Sequence, residues 1–300
     1  MRHLGQLLLK KTSLAALLAL LMLAMPRAQT PQAQTPRAPA RIICLVPAVT
    51  ETLFAVGAGP QVAAVSSFDN YPPEVEKLQR VGALLDPDVE RILSLRPDLV
   101  VVYGSQTDLR AQLDRAHIQT FIYSHGGLAE VTATIRAIGD RVGHGPEATR
   151  LAGDIHRRIA AVRKRVAGLP RVRTLVVFER EPRSLRGIYA SGGIGFVHDM
   201  IEAAGGVNVF ADVKREAVQA TTELILARQP EAIIELRSAA ATDDERRLEI
   251  ATWDRLGALP AVRSHRVHLF ADQKMSIAGP RVAEVVEILG RTLHPGAFAR

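Results

Sequence analysis

The sequence predicts an α/β fold: two related α/β lobes with mostly parallel central sheets, joined by a single long α-helix. Three observations predict it. Strand-like and helix-like segments alternate over residues 41–143 and again from residue 172 to 293. Residues 146–166, between them, carry no strand signal but repeat apolar residues at helical spacing. A short motif recurs in both alternating regions. Alternation favours parallel sheets, because a parallel strand pair needs a crossover long enough to be a helix. The chain of 300 residues, 47% hydrophobic and 23% charged, is ordinary in composition and long enough to bury a core without disulfide or metal.

Residues 1–28 read as a secretory signal. Arg2, His3, Lys10 and Lys11 make a positive start, and the apolar run 13–25 is too short for a stable membrane anchor. Cleavage is expected after Ala28, although Pro26 stands where a small residue is preferred. Arg2, Lys10, Lys11 and Arg27 belong to this segment, so the formal charge of +7 falls to +3 once they are removed. The remaining basic residues are interspersed with acids, so no nucleic-acid footprint is expected. No other segment is long and apolar enough to span a bilayer, and export to the periplasm follows as the expectation. Cys44, the single cysteine, lies beyond the cleavage region, so neither a lipidated leader cysteine nor an intramolecular disulfide is expected; it reads as a small core residue. Residues 29–40, rich in Gln, Thr and Pro without a large apolar side chain, read as a flexible tether.

The first lobe is expected over 41–143. Strands are read at 42–46, 62–66, 99–103 and 120–124, and helices at 50–56, at 88–95, around Leu109 and Leu113, and along Leu128, Val131, Ile135, Ile138 and Val142. A linking helix is expected over 144–168. Leu151, Ile155, Ile159, Val162 and Val166 share one face, Gly145 and Pro146 open the segment, and Gly168 and Pro170 close it. About 21 residues of helix span roughly 30 Å, the width of a small domain. Gly153 within it costs about 1 kcal/mol against Ala. The second lobe, 169–300, is read as a strand at 172–178, helices near 195–204 and from 221, a strand at 232–236, a helix around 244–256, a strand at 266–270 and a closing helix at 280–293.

The recurring motif is Glu90-Arg-Ile-Leu-Ser-Leu-Arg-Pro97-Asp98-Leu-Val-Val in the first region and Glu223-Leu-Ile-Leu-Ala-Arg-Gln-Pro230-Glu231-Ala-Ile-Ile in the second. Each opens a short helix on a glutamate, reaches Pro seven residues later, then an acid and a strand. A helix ending in glycines precedes each, at Gly57 and Gly59 and at Gly205 and Gly206. Two related lobes imply a cleft between them, where ligands usually bind.

Pro47-Ala-Val-Thr-Glu51, Ser66-Ser-Phe-Asp-Asn-Tyr-Pro-Pro73, Val89-Glu-Arg-Ile92 and Tyr189-Ala-Ser-Gly192 are similar to motifs of the cobalamin-binding branch of the periplasmic binding proteins with a rigid helical spine. Trp253-Asp-Arg-Leu and Leu259-Pro-Ala-Val262 resemble the wider group, which serves vitamin B12, ferric siderophores, haem and some metals. The resemblance covers 41–293. It implies a non-enzymatic soluble receptor of an ABC importer without a cofactor, a monomer that captures a corrinoid between its lobes and delivers it to a membrane permease and its ATPase. It implies that Glu90 and Glu223 dock into arginine pockets of the permease, and that Tyr71 and Tyr189 contact the ligand. Leu84 and Ala217 stand six residues before the two glutamates, where the cobalamin binder has tryptophans. With 4% aromatic residues overall, the chain lacks much of that aromatic wall, which leaves haem or a ferric siderophore as the alternative cargo.

Simpler readings stand beside these. A glutamate at a helix start is favoured by the helix dipole alone. Tyr71 and Tyr189 lie in turns rich in Gly, Pro and Ser, where loop packing competes with binding. Trp253 shares a helical face with Ile250, Leu256 and Leu259 and reads as core. Asp272, Met275 and Arg281 fall in or beside the loop after the last strand, an edge suited to ligand contact, and Asp272 and Arg281 are carried forward as ligand candidates. His265 and His268 lack a third ligand nearby and read as scattered rather than metal-binding. Gly192, Gly193 and Gly195 lack the dinucleotide spacing, and no Gly-x-Ser-x-Gly or His-Glu-x-x-His occurs. The rival from another class is an exported metal-binding protein or enzyme using His265, His268 or the tyrosines.

Overall fold

Apolar, largely β-branched runs form the centre of each sheet, uninterrupted in the first and broken in the second by Arg173, Thr174 and Glu235. In the first, β1 (Ile42–Cys44) and β4 (Leu99–Tyr103) are buried almost throughout, as strands covered on both faces must be. The structure, a computed structural model, describes residues 38–237 and 241–299. The expected signal, 1–28, and residues 29–37 of the expected tether lie outside them. α1 (Pro47–Ala55) follows β1 directly, with Pro47 in its first turn, where the missing N–H costs nothing. β2 (Val62–Val65), β3 (Gln79–Arg80), α2 (Val89–Ser94), α3 (Thr107–Arg115), β5 (Gln119–Tyr123) and α4 (Leu128–Val142) complete the first lobe. Its sheet has the order β3-β2-β1-β4-β5, with every pair parallel.

α5 (Gly145–Val166) is the expected linking helix, 22 residues long and so about 33 Å. It buries Ala148, Ala152, Ile155, Ile159, Val162 and Val166, a stripe at spacings of three and four, while Leu151 sits at its margin. The second lobe runs β6 (Val172–Glu179), β7 (Ile188–Ser191), α6 (Phe196–Ala203), β8 (Gly206–Asn208), β9 (Ala217–Ala220), α7 (Thr222–Arg228), β10 (Ala232–Arg237), α8 (Asp243–Ala251), α9 (Pro260–Arg263), β11 (Val267–Ala271), α10 (Val282–Leu293) and α11 (Pro295–Phe298). Its sheet has the order β11-β10-β6-β7-β9, and β8 pairs with the start of β6. β10 is parallel to β6 and β11, whereas β7 is antiparallel to β6 and β9. The expected helix around 244–256 tightens after α8 into a 3-10 turn, Thr252–Leu256.

The recurring motif folds alike in both lobes. Asp88 and Thr221 cap α2 and α7, accepting from the backbone N–H of Arg91 and Leu224 at 2.9 and 3.3 Å. Ile92 and Ile225 are the buried residues of the two helices. Arg96 and Gln229 then take the left-handed conformation (φ 47° and 46°) ahead of Pro97 and Pro230. The acid after each proline pins the start of its lobe's first strand: Asp98 Oδ2 accepts from Arg41 N–H at 2.9 Å, and Glu231 Oε2 from Arg173 N–H at 3.0 Å. Gly57 and Gly205 also correspond, both at positive φ after the first helix of their lobe. The order β2-β1-β4-β5 thus reappears as β8-β6-β10-β11, and the β7–β9 pair is an addition of the second lobe. Cys44 is buried among apolar side chains, and burial pushes its thiol up to about 12. Among the described residues, no helix is long and apolar enough to cross a membrane.

Candidate functional site

Parallel sheets offer ligands the crevice beyond their strands' carboxyl ends. A cavity of about 390 Å³ lies there, between the lobes. Phe178 and Leu236 enter it from the ends of β6 and β10, and Ile194, Phe196 and Val197 from around the start of α6. Glu216 and Ala217 come from the start of β9, Ser276 from the loop after β11, and His125 from the loop after β5 of the first lobe. Most of the lining is apolar.

Two backbone arrangements set up the second lobe's side of the cavity. Gly192 and Gly193 donate to the carbonyls of Glu216 and Val213 at 3.0 and 2.7 Å. A Cβ on either glycine would lie 2.1 Å from a carbonyl oxygen of the 211–215 segment, so that segment, which leads into Glu216 and Ala217, requires glycine here. Close backbone packing therefore accounts for this glycine run. Behind the cavity wall, Glu235 on β10 is buried and accepts from Trp253 Nε1 at 2.6 Å and from Arg180 Nε. Arg180 also reaches Glu249 at 2.8 Å, so the ends of β6 and β10 are tied to α8. Trp253 is fully buried, as its apolar face predicts.

The first lobe contributes an aromatic cluster and two ordered loops. Tyr103 and Tyr123 end β4 and β5 with ring centroids 5.8 Å apart, and His125 stacks on Tyr103 (5.9 Å, 26°) and meets Tyr123 edge-on (5.1 Å, 77°). Burial raises both phenols, Tyr123 to about 12 with Glu216 of the other lobe adding to the effect, so both keep their protons. The 66–73 loop carries Phe68, which is 67% exposed, and Tyr71. Asp69 anchors this loop from beneath, accepting from Ser66 N–H at 2.8 Å, while Arg80 donates to the Ser66 and Asp69 carbonyls. Burial pushes the Asp69 carboxyl up to about 7. Asp69 Oδ1 and Thr50 Oγ1 are buried with no hydrogen-bond partner.

From the second lobe, the segment between β11 and α10 crosses onto this loop. Gln273 Nε2 donates to the Phe68 carbonyl at 3.1 Å. Arg281 donates through Nε, at 2.9 Å, and Nη2 to the two oxygens of buried Glu51 on α1. Its guanidinium lies 3.9 Å from the centroid of the Tyr71 ring. Burial raises the Glu51 pKa, and the Arg281 donors pull it back.

The structure places the sequence-derived candidates unevenly. Tyr71 and Arg281 are brought together, and Asp272 lies near them, where it caps a 3-10 turn by accepting from Lys274 N–H at 3.0 Å. Ala217 lines the cavity. Tyr189 and Leu84 are exposed and are not among its lining residues. Leu84 precedes Leu85, which is 93% exposed. Glu90 and Glu223 are both exposed second residues of their helices, and neither forms an ion pair among the described residues. Glu223 is held below the usual carboxylate range by its own backbone N–H and the Thr221 and Thr222 hydroxyls. His268, on β11, has its pKa lowered by burial, and its Nε2 has no partner. Among the described residues, no three His, Cys, Asp or Glu side chains gather as metal ligands would. Sequence reasoning missed His125, Phe178, Glu216 and Leu236. Phe178 and Leu236 end predicted strands, so the carboxyl-edge rule could have found them.

A model of a periplasmic binding protein family matches residues 42–273. An uncharacterized ABC transporter substrate-binding lipoprotein of Bacillus subtilis, YvrC, is 30% identical over 87% of this chain and 82% of its own. A vitamin B12-binding protein of Salmonella typhimurium is 32% identical over 66% of this chain and 72% of its own. Among solved structures, the periplasmic vitamin B12-binding protein BtuF of Vibrio cholerae superposes with a TM-score of 0.73 at 25% identity, covering 88% of this chain and 100% of that one. The periplasmic haem-binding protein RhuT of Roseiflexus sp. RS-1 gives 0.72 at 27% identity, covering 86% and 98%.

Proposed function

We propose, from the premise that the chain belongs to the periplasmic binding protein family, that it captures a corrinoid between its lobes, without chemical conversion, and delivers it to an ABC permease and its ATPase. The observation that carries this reading is the largely apolar cavity beyond the carboxyl ends of β6 and β10, lined by Phe178 and Phe196 of the second lobe and by His125 of the first. A corrinoid has a broad, partly apolar macrocycle, and aromatic side chains supply contact area at low entropic cost. Relatives named for vitamin B12 binding support that cargo. The haem-binding relative at 27% identity favours haem as the second reading. Export of the mature chain to the periplasm belongs to the same proposal.

Glu90 and Glu223 supply the delivery step. They occupy equivalent places in the two lobes, so one carboxylate per lobe gives two anchor points, and two points fix orientation where one cannot. Arginines of the permease would form charge-assisted contacts with them. Close interfacial charge pairs couple by about 1.5–7 kcal/mol, so losing one weakens docking roughly tenfold or more.

Calorimetry with cyanocobalamin, haem and a ferric siderophore, on the wild type and on the Glu90→Ala/Glu223→Ala variant, tests both steps. Cyanocobalamin is expected to bind both proteins alike, while the variant fails to support uptake at limiting receptor. Binding of haem or the siderophore alone moves the cargo to that class. Normal uptake by the double variant returns both glutamates to ordinary helix caps.

A further inference from the structure

Of the side chains lining the cavity, His125 alone carries a ring nitrogen whose lone pair can bind a metal; Glu216 and Ser276 offer only oxygen. Its ring is held on two sides, stacked on Tyr103 and edge-on to Tyr123, so little freedom is left for a ligand to remove. Its Nδ1 lies 3.5 Å from the Tyr123 hydroxyl oxygen. When Nδ1 carries the proton and donates it there, Nε2 keeps its lone pair, the usual arrangement of a metal-bound imidazole whose second nitrogen donates to a neighbouring oxygen. Phe178, Phe196 and Leu236 line the same cavity, so a macrocycle held there would meet apolar walls beside the imidazole.

We propose that Nε2 of His125 takes an axial position on the cobalt of the bound corrinoid, which rests on the corrinoid reading of the cavity. The step is a ligand substitution. The Nε2–cobalt bond forms, the cobalt–water bond of an aquacorrinoid breaks, and the water leaves; no electron or proton is transferred. It makes His125 a specificity-determining residue: it favours a corrinoid whose axial position holds labile water over one whose position is filled by a tightly held ligand. Cyanocobalamin still binds through the macrocycle and the apolar walls.

Titration of wild type and His125→Gln with aquacobalamin and cyanocobalamin, followed by absorbance and calorimetry, tests this. On wild type, aquacobalamin is expected to change its visible spectrum to that of an imidazole-ligated cobalamin and to bind at least about tenfold tighter than cyanocobalamin, a difference of roughly 1.4 kcal/mol. In His125→Gln the spectral change and the preference are both lost. Circular dichroism and the melting temperature report that the variant is folded, and the preference is read as the ratio of the two affinities in each protein; His125→Ala behaves the same way. If aquacobalamin binds wild type with its spectrum unchanged, or if the change survives in both variants, the cobalt contact is wrong while the corrinoid reading stands. Binding of neither corrinoid overturns both.

Discussion

Asp69 sits beneath the loop that presents Phe68 and Tyr71, and its environment has a consequence for stability. An aspartate ordinarily titrates near 3.9, whereas burial pushes this one to about 7. Between those values the native protein holds a proton that the unfolded chain has released. Stability rises with pH only where the unfolded state binds more protons. Here the native state binds more, so stability falls as pH climbs from about 4 to about 7. One group shifted this far contributes roughly 2–3 kcal/mol between pH 5 and 8. Asp69→Asn should remove that part. Its amide oxygen can still accept from Ser66 N–H, and its NH₂ can donate to Thr50 Oγ1, which is buried without a partner. Denaturant unfolding at pH 5 and pH 8 is expected to show a smaller loss in the variant than in wild type. Glu51, also raised by burial, keeps its own share in both proteins. Equal losses would place the dependence elsewhere. Little of this was legible in the sequence. Ser66-Ser-Phe-Asp-Asn-Tyr-Pro-Pro73 reads as a loop motif, but that its aspartate is buried beside Thr50, nineteen residues earlier on another element, is set by the packing of the lobe.

At the scale of elements, legibility followed length and period. α4, α5 and α10 bury regular apolar stripes over 15, 22 and 12 residues, and a stripe of that length leaves no competing reading. β3, β7, β8 and β9 have two to four residues each, too few to show alternation, and Ala217–Ala220 carries one large apolar side chain in the sequence AVQA. The duplicated motif was visible because its parts have local causes, a cap, a left-handed residue and a proline. The β7–β9 addition, which brings Tyr189 and Ala217 to the second lobe, has no counterpart in the first lobe to reveal it. Gly153 tests the linking helix directly. A Cβ there would meet only the end of the Arg157 side chain, at 3.5 Å, so the glycine spends backbone entropy without a packing reason. Gly153→Ala is expected to stabilise the protein by about 0.5–1 kcal/mol and to raise its melting temperature by a few degrees. A fall in melting temperature would mean that this part of α5 departs from a regular helix when the protein functions.

For the whole molecule, the question is how far two lobes can move on one connecting helix. Separate domains move relative to each other unless a large apolar interface joins them. Here one apolar cluster runs from Ile42 and Val101 in the first sheet through Ile138 of α4 and Ile155 of α5 to Val176 and Val286 in the second lobe. Three polar ties cross as well: Asp199 on α6 accepts from Leu128 N–H at 2.9 Å, Gln273 holds the Phe68 carbonyl, and Arg281 is forked onto Glu51. Opening the lobes would expose apolar surface and separate these groups, so free and ligand-loaded protein should give scattering curves that nearly superpose, with radii of gyration within about 1 Å. Arg281→Ala separates the contribution of the latch from that of the shared core. It leaves the Glu51 carboxylate buried and unpaired, a loss of roughly 3–5 kcal/mol, and it uncovers one face of Tyr71. Arg281→Ala/Glu51→Gln removes the stranded charge but not the exposure of Tyr71. If the latch serves both stability and the ligand face, the double variant regains most of the stability while ligand affinity stays reduced. The shared core keeps the radius of gyration of both variants close to that of wild type. A double variant that recovers affinity in full would confine Arg281 to compensating Glu51. An increase of several Å in either variant would show that the latch, rather than the core around α5, holds the lobes together.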